Sequence, residues 1–255
     1  METLILVAVG GLVWGSFLNV VIYRLPLGLN LSKPPSACPA CGTRIKPYDN
    51  IPVLSYLVLG GKCRACGKPI PFSYVLAEIL TPLAFITLHH HFGLTPHFFA
   101  SAAFTSALIV LAFIDFRHKI LPDHIVFPGI ALGLLYAVFR RDGLRIGDAL
   151  LGGLVGAGFL LLVYGAYYLV RKKEGMGLGD VTMMAMVGVF LGWLPALLTI
   201  ILASLAGVLA GIVIIVVRKR SLQFLLPYGT FLAPAAFVSL VWGERLIGAY
   251  LSLFR

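Results

Sequence analysis

The sequence predicts an all-α polytopic membrane protein of about eight transmembrane helices, with a small cytoplasmic four-cysteine insertion, zinc-ribbon-like, between the first two. Three observations carry this. Of the 255 residues, 60% are hydrophobic and only 12% charged, and the mean hydropathy is +0.98. Apolar runs near the length that crosses a bilayer, about 20 residues, recur from end to end. The runs lack strict two-residue alternation, so helices rather than barrel strands must satisfy the backbone in lipid.

The first run, 3–23, is preceded by Glu2 rather than a basic residue and is closed by Arg24. It exceeds the roughly 7–15 residues of a signal-peptide core, so it reads as a first transmembrane helix with its N-terminus outside. Seven further spans follow at about 72–90, 97–114, 124–139, 146–170, 181–194, 196–217 and 228–242. The stretch 181–217 must be two helices, because at about 1.5 Å per residue one helix would far outrun a ~30 Å hydrocarbon core. Gly192 and Pro195 mark the break.

With the N-terminus outside, the inner loops are 24–71, 115–123, 171–180 and 218–227, and they hold fifteen of the twenty Lys and Arg residues. This asymmetry supports both termini outside, against the opposing cluster Arg140, Arg141 and Arg145. The net charge of +10 is therefore a signal of orientation, and no nucleic-acid partner is expected. The chain divides into a transmembrane helix (1–23), a cytoplasmic cysteine domain (24–71) and a membrane domain (72–255).

The insertion holds all four cysteines, as "CPAC" (Cys38, Cys41) and "CRAC" (Cys63, Cys66), each followed by a glycine. Two such knuckles supply four thiolates, a tetrahedral set that suits Zn²⁺ in a structural role. A loop this small has little core of its own, so a metal would hold it together. Disulfides are disfavoured in the cytoplasm.

Ten acidic residues exist. Glu2, Asp49, Asp142, Glu174 and Glu244 read as solvated charge in loops or termini, and Asp148 as a cap on the fifth span. Asp115 ends the third span and Asp180 opens the sixth, so both are expected at the cytoplasmic face. Ionisable groups there are costly and point to function. Brought together they would share one proton, one acting as base toward water and the other as acid toward a carbonyl. Gly177 and Gly179 would support this loop and let a substrate backbone approach. Asp123 reads either as an N-cap or as a rival partner of Asp115. Glu78 reads either as a helix–helix hydrogen bond or as polar lining of a cleft. His89, His90, His91 and His97 read as an outer interfacial loop. Neither His-Glu-x-x-His nor Gly-x-Ser-x-Gly occurs.

Taken together, "GSFLNVVIYRLP" (15–26), the segment 38–70 with its two cysteine pairs, "IDFRHKILPD" (114–123) and "GMGLGDV" (175–181) resemble the type IV prepilin leader peptidase/N-methyltransferase family, membrane aspartic proteases of the GxGD type. The resemblance spans nearly the whole chain. It implies an enzyme of the bacterial inner membrane that removes the leader from prepilins and pseudopilins and methylates the new N-terminus from S-adenosylmethionine. It also implies that Asp115 and Asp180 are the catalytic pair, that the four cysteines are the metal set, and that Asp123 is not catalytic. Nothing in the residues alone shows the methyltransferase; the region between the cysteine pairs, with Glu78, is its expected site. The alternative from another class is an ion- or proton-coupled transporter using the same carboxylates.

Overall fold

Long apolar segments become helices, even across Pro82, Pro128 and Pro234, because only internal hydrogen bonding satisfies the backbone in lipid. The computed structural model describes residues 1–139, 145–173, 176–218 and 226–253. Arg140, Arg141, Asp142, Glu174, Gly175, Lys219, Arg220 and Arg255 therefore lie outside the described residues. Among the described residues eight apolar helices appear, one for each expected span: α1 (Glu2–Arg24), α3 (Phe72–Phe92), α4 (Pro96–His118), α5 (Asp123–Phe139), α6 (Ile146–Arg171), α7 (Leu178–Leu191), α8 (Trp193–Arg218) and α9 (Gly229–Ser252). A short α2 (Leu54–Val58) lies in the cysteine-bearing loop. Six of the eight are long and apolar enough to cross a membrane, while α5 and α7 are shorter. The chain is a multi-pass membrane protein.

Several boundaries move. α9 runs to Ser252 rather than ending near 242, because Glu244 and Arg245 sit in a segment with no breaker, so Glu244 is helical rather than in a loop. The histidine run lies in the last turns of α3, and His97 in the first turn of α4, rather than in a connecting loop. The break between α7 and α8 falls on Gly192, at φ 87°, and Pro195 belongs to the first turn of α8, where its missing N–H costs nothing.

Two compact units result, Met1–Phe113 and Ile114–Arg255. In the first, α1 presents one stripe (Val7, Gly11, Gly15, Leu18, Ile22), spaced three and four residues apart as one helix face requires. Its glycines let α3 come close: a Cβ on Gly11 would meet Pro82 Cα at 2.6 Å, and one on Gly15 would meet Glu78 Cα at 3.0 Å. Arg24, expected merely to end the first span, is buried and donates to the carbonyls of Asn30, Leu31 and Pro34, anchoring the loop that follows.

In the second unit α7 is the central element. Ten of its 14 residues are buried, against seven of 23 in α1, and α5, α6, α8 and α9 all pack on it. Its closest partner is α6, because Gly152 and Gly188 place backbone against backbone with no room for a Cβ on either. Small residues at such spacing are how helices associate in lipid, where apolar side chains alone give no preference. The outer face of α8 is the reverse: Leu205, Val208, Leu209, Ile212, Val213 and Val216 are exposed, as a bilayer-facing surface should be.

Candidate active site

Asp115 lies one turn before the end of α4, and Asp180 is the third residue of α7. Both are buried, at 5% and 7% exposure. Two helix N-termini supply their hydrogen bonds. At the start of α9, the Thr230 amide donates to Asp115 Oδ2 at 2.8 Å and the Thr230 hydroxyl donates to the same oxygen at 3.1 Å. At the start of α7, the N-cap amide of Gly177 reaches back to the Asp180 carboxylate, which is the N3-to-N-cap half of a capping box. The Gly229 amide faces both carboxylates, so the two aspartates, 65 positions apart in the chain, converge on one peptide group. Free N–H groups and the helix dipole make each of these ends a natural anion site.

The glycines around the pair act mainly on protein neighbours. A Cβ on Gly229 would stand 3.0 Å from Asp115 Oδ2, and one on Gly179 would stand 3.0 Å from Leu121 Cβ. Leu121 also sits 3.1 Å from a Cβ on Gly229. It thus wedges between the first turns of α7 and α9 and holds their N-termini at the carboxylates. The Leu121 loop can turn back after α4 because Lys119 adopts φ 55°, a left-handed helix end. Gly177 borders Asp180 itself: a Cβ on it would stand 3.7 Å from Asp180 Oδ2. Asp123 stands exposed in the first turn of α5, where its charge favours the helix N-terminus. Asp148 closes a capping box by accepting the Arg145 amide at 3.0 Å, at N3 rather than at the N-cap.

The cysteines form a second centre, within the first unit. All four Sγ atoms lie within 4.8 Å of one another, and Cys38 and Cys66 approach to 3.9 Å. Ligands at about 2.3 Å around one tetrahedral ion stand close to that separation, so the set can hold a metal ion. The two knuckles repeat one local fold. Cys38 N–H donates to the Thr43 carbonyl and Gly42 N–H to the Cys38 carbonyl; Cys63 N–H donates to the Lys68 carbonyl and Gly67 N–H to the Cys63 carbonyl. The Thr43 hydroxyl beside Cys41, 3.3 Å away, pulls its thiol down to about 6, toward the thiolate a metal requires. Arg64, bidentate on Asp49, holds that carboxyl below the usual range and braces the loop between the knuckles.

Glu78, on α3, receives a long helix–helix contact from Asn19 Nδ2 of α1, 3.4 Å. Its Oε2 accepts the Val53 amide at 2.8 Å, pinning the loop, and it lines a cavity of about 490 Å³ bounded by α1, α3 and the cysteine loop.

Comparison with known proteins places these features. Residues 9–92 match the bacterial peptidase A24 N-terminal domain, and residues 102–212 match the type IV leader peptidase family. The prepilin leader peptidase/N-methyltransferase of Pseudomonas aeruginosa is 40% identical, over 94% of this chain and 91% of its own. That of Pseudomonas putida is 36% identical, over 97% and 93%, and that of Aeromonas hydrophila 35%, over 98% and 94%. The chain belongs to the type IV leader peptidase family. No solved structure matches it.

For this leader peptidase chain, sequence reasoning missed Gly229, Thr230 and Leu121. The segment "YGTF" (228–231) carries no carboxylate, imidazole or thiol, so little in its composition marks it. Its one signal is a small residue beside a hydroxyl directly before an apolar run, the pattern of a helix start. Tyr228 ties that start to α8, its hydroxyl pairing with Ser204 Oγ at 3.0 Å.

Proposed function

We propose that this chain is a bifunctional membrane enzyme that removes the leader peptide from type IV prepilins and pseudopilins by aspartic protease chemistry and N-methylates the new N-terminal residue. The observation that carries the peptidase half is the convergence of buried Asp115 and Asp180 on the Gly229 amide. Two carboxylates so placed share one proton. The ionised one takes a proton from water as the water oxygen bonds to the scissile carbonyl carbon, and the protonated one gives its proton to the carbonyl oxygen. Collapse of the tetrahedral species breaks the C–N bond, and the leaving nitrogen takes a proton. Thr230, Gly229 and Gly177 hold the carboxylates throughout.

The enzyme sits in the bacterial inner membrane with both termini outside and the aspartates at the cytoplasmic face. The substrate's apolar helix enters from the bilayer, and the segment to be cut is extended there. Cys38, Cys41, Cys63 and Cys66 hold Zn²⁺, and four thiolates leave no open position, so its role is structural. S-adenosylmethionine supplies the methyl group. A transporter reading gains nothing from the structure, since both carboxylates are tied to helix ends by backbone donors.

The test is single replacement of Asp115 and Asp180 by Asn, with leader removal assayed on a prepilin in membranes. Loss of cleavage in each variant is expected, with both proteins still present and folded. Cleavage retained by either one sinks the peptidase assignment.

A further inference from the structure

The cavity of about 490 Å³ beside Glu78 lies wholly within the first unit, and its size falls in the roughly 300–1,000 Å³ range of pockets that hold small molecules. Its wall carries an unfilled acceptor. Asn19 is buried, and its Nδ2 donates to the Tyr74 carbonyl at 2.9 Å. Turning the amide over would set its oxygen against that carbonyl, so the orientation is fixed. This leaves Asn19 Oδ1 buried with no partner, which in a finished interior is rare and costly. Beside it, Glu78 Oε1 receives a long contact from Asn19 Nδ2, 3.4 Å, and the Ser16 hydroxyl also reaches this carboxylate.

The other carboxylate oxygen holds Val53, a β-branched residue at φ 61°, ψ −48°. Backbone in such a region is costly and persists where the surroundings enforce it, often at functional sites. Tyr23, Tyr56 and Tyr74 line the same cavity, and aromatic faces attract cationic, methyl-bearing groups. Lys46 and Lys68 on its rim suit a carboxylate. The wall thus asks for a ligand with N–H donors and a soft cation.

We propose that this cavity is the methyl-transfer site: Asn19 Oδ1 and Glu78 Oε1 receive the new α-amino group of the cleaved substrate, Glu78 takes its proton, and the sulfonium donor lies against the tyrosines. The inference rests on the methyltransferase reading above. The α-ammonium loses a proton to Glu78. The nitrogen lone pair then forms the N–C bond to the methyl carbon as the C–S bond breaks, and the electron pair stays on sulfur, leaving a neutral thioether. The methylated ammonium keeps its remaining protons, and the proton on Glu78 passes to water.

The experiment uses the full chain in lipid nanodiscs, a pilin peptide that already begins at its mature N-terminus, and labelled S-adenosylmethionine. Three readouts are taken: donor binding at equilibrium, methylation of the peptide across pH, and leader cleavage as a check of folding. In Glu78→Gln, methylation at neutral pH is expected to fall about 100-fold or more, the scale of a general base, and to recover as pH rises and the amine deprotonates unaided. Donor binding should change little. Asn19→Ala should raise KM for the peptide more than it lowers kcat. A donor analogue that crosslinks on illumination should label peptides from 16–78. Unchanged methylation in both variants, a uniform loss at all pH values, or labelling confined to other segments overturns the proposal. If the unaltered protein neither binds the donor nor methylates the peptide, the methyltransferase reading itself falls, a result separable from the others.

Discussion

Replacing Thr230 with Val removes the hydroxyl that donates to Asp115 and nearly preserves the side chain's shape. Valine matches threonine in shape and keeps the backbone N–H that donates to Asp115 Oδ2 at 2.8 Å, while the 3.1 Å bond from the hydroxyl is lost. A hydrogen bond to a carboxylate contributes about 1.5–3 kcal/mol, which if felt fully in the transition state lowers the rate about 10- to 150-fold. The amides of Thr230 and Gly229 remain, so the lower part of that range, about 10- to 30-fold in kcat, is expected. The assay is the initial rate of leader removal from a prepilin in nanodiscs, with methylation of a pre-cleaved peptide measured alongside. Thr230→Ser should restore most of the cleavage rate, and methylation should hold in both variants, because Thr230 donates to Asp115 and does not line the cavity beside Glu78. Wild-type cleavage in the valine variant, or equal losses with serine and valine, would refute the argument that the hydroxyl positions Asp115.

Two further outcomes follow from packing and from the cysteine cluster. Gly188→Ala puts a methyl group into the Gly152 backbone and should destabilise by about 1–3 kcal/mol or more, lowering the midpoint of thermal unfolding by several degrees; Gly158→Ala on the same α6, where a Cβ meets nothing within 4 Å, should leave it unchanged. Within the metal-free cluster Cys66 is pushed up to about 11 by burial and by its neighbouring thiols, whereas Cys41 is pulled down to about 6 by the Thr43 hydroxyl. In chelator-treated protein alkylation of Cys41 by iodoacetamide should rise with a midpoint near about 6, and Thr43→Val should move that midpoint upward; an unmoved midpoint would count against the hydroxyl as cause.

Local chemistry and long-range geometry differed in how far they could be read from residues alone. The eight apolar spans were legible because lipid imposes length and composition on every helix, and the cysteine pairs because a metal imposes spacing. Asp115 and Asp180 stood out for the converse reason: carboxylates are rare where burial is costly. Thr230, Gly229 and Leu121 have no such signature. Their importance comes from two helix starts meeting one carboxylate pair, which depends on how α7 and α9 pack and not on any local pattern. The end of α9 was misplaced for a related reason. Glu244 and Arg245 look like a boundary by charge, but charge alone does not stop a helix, and neither proline nor a turn follows them.

The support for Asp115 comes from a residue 115 positions further along the chain. During synthesis both aspartates therefore enter the membrane before the amides of Gly229 and Thr230 exist to receive them. Until α9 inserts, Asp180 has its Gly177 donor but the two carboxylates lack the Gly229 amide they share. On the chemistry proposed above, a ribosome-bound chain halted between Asp180 and Gly229 carries both aspartates and is still inert. Proteolytic competence is thus acquired last, once the membrane bundle is nearly complete, and the half-made enzyme is no hazard to its neighbours.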